Sequence, residues 1–154
     1  MLIRPAVPAD AAELAALHLR VWDEAYTGLI ASDLLAARAA EPATQRTERW
    51  RKRLLSTPTW LAVGDAVIVG FVQAGHGRDP DRAGLELMAL YTIADVHGTG
   101  LGQLLLDTAI GEVSAYLWVF DGNARATRFY ERNGFAFDGT TRQDKYGAES
   151  RMAR

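Results

Sequence analysis

Apolar residues recur at every third or fourth position near the start of the chain, which is the pattern of an amphipathic helix. The pattern predicts a helix of about four turns that begins near Asp10 and ends at Gly28, with an apolar face formed by Leu14, Leu17, Val21 and Ala25. Asp10 and Glu13 have the spacing of a capping box, in which side chains satisfy the first free N–H groups of a helix. We expect His18 to lie on the surface of this helix.

Short elements flank this helix. Leu2 and Ile3 predict a brief opening strand. After the helix, Ser32 is a suitable N-cap for a short helix. A proline separates that helix from a charged one predicted at residues 44–55, in which Trp50 is the expected core residue.

The middle of the chain is strand-like. Apolar runs at residues 59–63 and 67–74 are joined by Gly-Asp-Ala at 64–66. A short turn-forming connection between two such runs predicts a β-hairpin. The polar stretch 75–84 is expected to be an exposed loop, and residues 85–93 form a third predicted strand.

Two helices and three strands complete the prediction. Residues 101–109 have the apolar spacing of a helix, and residues 115–120 are almost free of polar side chains, as in a buried central strand. A helix opens at Asn123 and stops at Gly134. Closing strands are predicted at residues 135–139 and 149–152.

The order of these elements predicts a mixed α/β fold. A length of 154 residues fits one compact domain, so we expect a single domain over residues 1–154. Residues 1–8 lack the basic and apolar regions of a signal peptide, and the apolar stretches are too short to span a bilayer. We therefore expect a cytoplasmic protein, and the high content of alanine and arginine is associated with GC-rich bacterial genomes.

The charged residues argue against several classes of partner. The formal net charge is −2, with acids and bases interleaved, whereas nucleic acid and anionic membranes call for a basic face. The absence of cysteine excludes disulfides, thiolate metal ligands and a cysteine nucleophile. The three histidines are scattered without acidic partners at ligand spacing, so we expect no metal site.

The sharpest feature is the segment His-Gly-Thr-Gly-Leu-Gly from His97 to Gly102, between a predicted strand and a predicted helix. The first N–H groups of a helix lack partners, and with the helix dipole they form an anion site that glycines leave accessible. The spacing differs from the G-x-G-x-x-G of a dinucleotide fold, and Gln103 stands where a P-loop carries lysine. The segment predicts a phosphate-bearing ligand.

This segment resembles the acetyl-CoA loop of the GNAT superfamily of N-acetyltransferases. In that loop Gln or Arg is followed by two free positions, Gly, one free position, and Gly or Ala. Gly100 and Gly102 match the two small positions, while His97 replaces Gln or Arg. The likeness extends to residues 87–92, to the N-terminal segment around residues 22–26, and to a C-terminal block comprising Leu117, Trp118, Val119, Asn123, Ala126, Phe129, Tyr130, Glu131, Asn133, Gly134, Phe135 and Gly139.

The resemblance implies a mostly antiparallel sheet flanked by helices, with two central strands that splay apart to receive the pantetheine arm of acetyl-CoA. It implies that the main chain of one strand pairs with that arm and that the glycine turn holds the pyrophosphate. For Asn123, a plain N-cap is an equal alternative. The implied cofactor-binding residues are Leu90, Tyr91, Thr92, His97, Gly98, Thr99, Gly100, Leu101, Gly102, Gln103, Asn123 and Tyr130.

Two catalytic side chains follow from the resemblance and the needs of the reaction. Tyr130 matches the general acid that protonates the departing thiolate, and a main-chain N–H of residues 90–92 is the simplest oxyanion donor. Glu86 is the first candidate for a general base. Glu24, Asp95 and His76 are weaker candidates, and water is a further alternative.

The acceptor is the least determined substrate. Trp22, Glu24 and Tyr26 lie where this family builds its acceptor wall, and aromatic rings with one carboxylate suit a cationic amine. We predict transfer of an acetyl group from acetyl-CoA to a primary amine of a small molecule or peptide, by direct attack in a ternary complex. A non-catalytic acyl-CoA-binding module is the alternative, a nucleotide-binding α/β domain is a more distant one, and a homodimer is compatible with the resemblance.

Overall fold

The computed structural model describes residues 1–154. Five α-helices and seven β-strands are present, in the predicted order. The helices are α1 (Ala11–Tyr26), α2 (Ser32–Ala40), α3 (Ala43–Ser56), α4 (Leu101–Ile110) and α5 (Ala124–Arg132). The strands are β1 (Leu2–Pro5), β2 (Thr59–Gly64), β3 (Val67–His76), β4 (Leu85–Thr92), β5 (Ala115–Phe120), β6 (Ala136–Gln143) and β7 (Ala148–Ala153).

The seven strands form one sheet in the order β1-β2-β3-β4-β5-β7-β6. Every neighbouring pair is antiparallel except β4 and β5, which are parallel and connected through α4. The parallel pairing is short, because only Leu85–Leu87 faces Ala115–Leu117 before the strands diverge. The predicted mixed α/β fold with a mostly antiparallel sheet and splayed central strands is confirmed.

The core lies on both faces of the sheet. Helix α4 packs against β2, β3 and β4, and its Leu105 and Leu106 are fully buried. A Cβ at Gly70 would lie 2.9 Å from Thr92 Cγ2 and 3.3 Å from Leu105 Cδ1. Glycine at this position therefore allows α4 to approach the sheet closely. None of the helices is both long and apolar enough to cross a bilayer.

The hairpin between β2 and β3 is confirmed. Asp65 and Ala66, the two turn residues, have φ of 49° and 64°, which is the backbone of a type I′ turn. The predicted capping box at the start of α1 is wrong. The carboxylate of Asp10 instead accepts hydrogen bonds from Arg4 at 2.8 and 2.7 Å, and Glu13 accepts one from the N–H of Ile68 at 2.7 Å.

The expectation for His18 is met only in part, because its side chain is half-buried and also lines an open cavity. The ring packs edge-on against Trp50 and Phe71, with centroid separations of 5.2 and 5.6 Å. Helix α1 contacts both α3 and the sheet, so the helix face that carries His18 is partly covered.

Candidate active site

A cleft opens in the middle of the sheet where β4 and β5 diverge. Pairing between these strands ends at Leu87 and Leu117, and beyond that point they border a cavity of about 790 Å³, here called the central cleft. Alternate main-chain groups of β4 point away from β3 and so face this cavity. Because unpaired main-chain groups are costly, this edge suits an extended polar ligand. The predicted residues Leu90, Tyr91 and Thr92 all line the cleft.

The glycine turn closes one end of the central cleft. Gly98 and Gly100 have φ of 79° and 87°, a left-handed conformation that residues with a Cβ avoid. A Cβ at either position would meet no atom within 4 Å, so the backbone conformation, not crowding, favours glycine. The N–H groups of Leu101, Gly102 and Gln103 have no main-chain acceptor. They lie at the positive end of the α4 dipole and are suited to binding an anion.

One predicted turn residue does not reach the cleft. The hydroxyl of Thr99 donates a hydrogen bond to the carbonyl of Val96 at 2.7 Å, and Thr99 does not line the cavity. The remaining six predicted residues of this segment do: His97, Gly98, Gly100, Leu101, Gly102 and Gln103.

Three arginines of α5 line the same cleft, and our sequence analysis missed them. Arg125, Arg128 and Arg132 are three and four residues apart, so they share one face of the helix. None of them pairs with a carboxylate. Arg125 Nη1 lies 2.8 Å from His97 Nε2, and partial burial together with the charge of Arg125 lowers the pKa of His97. The helical spacing of the arginines was the signal in the sequence.

Asn123 and Tyr130 approach the cleft from α5. Asn123 Oδ1 accepts a hydrogen bond from the N–H of Ala126 at 3.2 Å, so this residue is the N-cap of α5, and it also lines the cleft. Tyr130 is 9% exposed, and its ring packs against Phe129 and Phe135. Its hydroxyl has no hydrogen-bond partner in the protein, and burial raises the pKa of that hydroxyl. Tyr130 is therefore protonated at neutral pH and can donate.

Glu86 lies outside the central cleft, contrary to our expectation of a residue facing the site. Its carboxylate accepts hydrogen bonds from Arg78 Nε at 3.0 Å and Nη2 at 2.7 Å, and from the Tyr116 hydroxyl at 3.3 Å. Burial alone would raise the pKa of Glu86, but the hydrogen bonds and charge of Arg78 lower it below its usual value. Because its oxygens are occupied in an ion pair, Glu86 is not placed to accept a proton in the cleft.

Glu24 lines the cleft, but its carboxylate is engaged. Oε1 accepts a hydrogen bond from Arg20 Nε at 2.7 Å, and Oε2 accepts one from the N–H of Ala94 at 2.7 Å. The bond from Ala94 ties α1 to the segment that leads into the glycine turn. The predicted role of Glu24 in holding a cationic amine is therefore not supported by the geometry.

An aromatic wall formed by Trp22, Tyr26 and Tyr91 borders the cleft on the α1 side. Tyr26 and Tyr91 line the cleft, and their hydroxyls are 2.9 Å apart. Trp22 lies behind Tyr26, with ring centroids 4.9 Å apart, and does not reach the cleft. Burial raises the pKa values of both tyrosines, so the wall is uncharged at neutral pH. No group of three or more His, Asp or Glu side chains is arranged to hold a metal ion.

Comparison with known proteins agrees with this geometry. Residues 20–135 match the model of the acetyltransferase (GNAT) family. A Mycobacterium tuberculosis protein named "Probable N-acetyltransferase" is 28% identical over 151 residues, covering 90% of this chain and 82% of that relative. A Mycobacterium bovis protein named "Uncharacterized N-acetyltransferase" is 32% identical over 146 residues, covering 85% of this chain and 86% of that relative.

A solved structure has the same fold. The PaiA N-acetyltransferase of Thermoplasma acidophilum, crystallised in complex with coenzyme A, superposes with a TM-score of 0.76. The match covers 97% of this chain and 96% of that one, at 19% sequence identity.

Proposed function

The chain belongs to the GNAT family of acetyltransferases, and from this premise we propose that residues 1–154 form one domain that transfers the acetyl group of acetyl-CoA to a primary amine. In this proposal the acceptor is a small molecule or a peptide, and its amine attacks the thioester while both substrates are bound. The coenzyme A in the Thermoplasma structure supports the choice of donor.

The observation that carries the proposal is the meeting of three features at the central cleft. The free N–H groups at the start of α4 and the unpaired arginines of α5 suit a diphosphate. The edge of β4 that faces away from β3 suits the amide groups of a pantetheine arm. The cavity volume of about 790 Å³ also lies within the range of roughly 300–1,000 Å³ that small-molecule sites occupy.

Each chemical step has a candidate group in the cleft. Acetyl-CoA supplies the acyl group in activated form, as a thioester. A main-chain N–H within residues 90–92 donates to the developing oxyanion. As the new C–N bond forms and the C–S bond breaks, Tyr130 donates its proton to the departing sulfur and later regains one from solvent. Water takes the amine proton, because Glu86 and Glu24 are both engaged in ion pairs.

A thiol-release assay with acetyl-CoA and a panel of amines tests this proposal, alongside thermal unfolding with and without coenzyme A. At a ligand concentration 100-fold above Kd we expect about 2.7 kcal/mol of stabilisation, or a rise in Tm of about 5–11 °C. Thiol release should require both acetyl-CoA and an amine. Stabilisation without thiol release for any amine would favour the non-catalytic alternative, and no stabilisation would contradict both.

A matched pair of glycine variants separates the site from the fold. Gly100 and Gly139 have φ of 87° and 89°, and a Cβ at either would meet no atom within 4 Å. Gly100→Val and Gly139→Val therefore impose similar backbone strain, but only the first alters the turn at the cleft. We expect Gly100→Val alone to lose the stabilisation by coenzyme A and the thiol release.

A further inference from the structure

A second cavity lies beside the central cleft and has no part in the steps above. We call it the arginine cavity. Its volume is about 530 Å³, and it is bordered by α1, α2, α3 and the turn between β6 and β7. Its cationic lining residues come from α2, α3 and that turn: Arg38, Arg46, Arg49, Arg53 and Lys145.

The positive charge of the arginine cavity is largely uncompensated. Glu41 is the one carboxylate that lines it, and this carboxylate is bound by Arg49, with Nη2 and Oε2 2.6 Å apart. The other four cations have no salt bridge. Like charges gathered in a concave surface repel one another and concentrate a positive potential there. The cavity is therefore complementary to an anion.

Two arginine nitrogen atoms at this cavity are buried and have no hydrogen-bond partner, Arg38 Nη1 and Arg46 Nε. The other groups of Arg38 are fixed. Its guanidinium stacks over Trp22 at 4.2 Å, and its Nη2 donates to His18 Nδ1 at 3.2 Å. A buried guanidinium N–H without an acceptor is costly, and the planar fork of arginine fits a carboxylate or phosphate. These two atoms are buried, so a ligand in the cavity would meet the other, accessible atoms of the cations that line it.

The arginine cavity is separated from the central cleft by one layer of aromatic rings. Trp22 lines the arginine cavity and Tyr26 lines the cleft, and their ring centroids are 4.9 Å apart. His18 and Tyr91 form a second such pair across the wall, at 5.8 Å. The two cavities share no lining residue, so the arginine cavity is a site distinct from the central cleft.

We propose that the arginine cavity is a binding site, separate from the central cleft, for a small molecule that carries a carboxylate or a phosphate. This site goes beyond the acetyl transfer proposed above. The rings of Trp22 and Tyr146, 5.0 Å apart, supply an apolar surface for the rest of the molecule.

Equilibrium binding to the coenzyme A complex tests the cavity without requiring turnover. Phenylalanine is compared with phenylalaninamide, and O-phosphoethanolamine with ethanolamine, by calorimetry. We expect at least one compound that carries a carboxylate or phosphate to bind more tightly, by about tenfold or more, than the partner that lacks it, as for charge-assisted hydrogen bonds. The two pairs distinguish carboxylate from phosphate. Equal affinity within both pairs would overturn the proposal.

Arginine variants locate the effect. Arg53→Gln removes an exposed cation of the cavity, and Arg51→Gln is the matched control on the same helix, because Arg51 pairs with Glu48 and does not line the cavity. We expect Arg53→Gln and Arg38→Gln to weaken binding of the preferred anion by about tenfold, with Arg51→Gln unchanged. Loss in the Arg51 variant alone, or in none of the three, would overturn the proposal.

Kinetics then check that the two sites are separate. For Arg53→Gln we expect the KM of acetyl-CoA to stay within about twofold, because Arg53 lines the arginine cavity and not the central cleft. A larger change would contradict a separate site. Failure of every amine to release thiol would instead overturn the proposed function alone.

Discussion

His18 makes the stability of this protein depend on pH above the range in which carboxylates titrate. Its half-buried ring packs against aromatic residues, and its Nδ1 accepts a hydrogen bond from Arg38. Burial, followed by the charges of Arg38, Arg53 and Arg49, lowers the pKa of the imidazole from 6.5 to about 3. The unfolded chain therefore binds a proton at His18 below about pH 6.5, while the folded protein does not. Stability falls as the pH drops through 6.5, and continues to fall until about pH 3.

The size of this loss follows from the two protonation equilibria. As the pH falls from 7.5 to 5.5, the protonated fraction of the imidazole in the unfolded chain rises from about 10% to about 90%. The free energy of unfolding therefore decreases by about 1.4 kcal/mol. Any folded-state pKa below about 4.5 gives nearly the same loss in this window. For a domain of this length we expect Tm to fall by about 3–6 °C.

Urea unfolding at pH 7.5 and 5.5, with the native chain and His18→Asn, measures this loss. The variant loses ring contacts at both pH values but carries no titratable group at this position. His97, whose pKa is also lowered, is present in both proteins, so the difference between their pH dependences reports His18. We expect the native chain to lose about 1.4 kcal/mol more than the variant. Equal losses in the two proteins would refute the burial of a neutral His18.

Three further substitutions test other features. Tyr130→Phe should lower kcat by at least about 100-fold. Because the ring contacts remain, its affinity for coenzyme A should change by less than about threefold. Equal turnover of the two proteins in a thiol-release assay would contradict the role of Tyr130 as general acid. Arg151→Met should destabilise the protein by about 3 kcal/mol in urea unfolding. The side chain of Arg151 is 5% exposed and forms salt bridges with Asp79, Asp81 and Asp138. An unchanged unfolding midpoint would contradict this contribution to stability. Ala66→Gly should stabilise the protein by about 1 kcal/mol, because φ at this position is 64°; a lowered midpoint would count against the strain.

The sequence by itself determined the secondary structure and many of the residues that line the central cleft. Apolar periodicity is a local property, so the order of helices and strands could be predicted from it. The glycines at 98 and 100 encode a left-handed turn that needs no distant contact, and both have φ in that region. The N-cap at Asn123 is equally local, because its oxygen reaches the N–H of Ala126.

Only the tertiary structure decided which side chains are free to act. Glu86 is a suitable base by residue type, but Arg78 approaches from the preceding loop and occupies its carboxylate. Glu24 is engaged across 70 residues of sequence by the N–H of Ala94. His18 would be exposed on an isolated helix. In the folded protein it is half-buried, because α3 and β3 pack against its ring.

The arginine cavity shows the same division most clearly. Its cations are Arg38 in α2, three arginines of α3, and Lys145 in a turn that is distant in sequence. In the sequence alone, these segments look like ordinary charged surfaces. Charge on a helix face is local, whereas the sign of the potential in a cavity depends on which faces are brought together and which carboxylates are left to neutralise them. That is a property of packing, and it becomes visible only once the chain is folded.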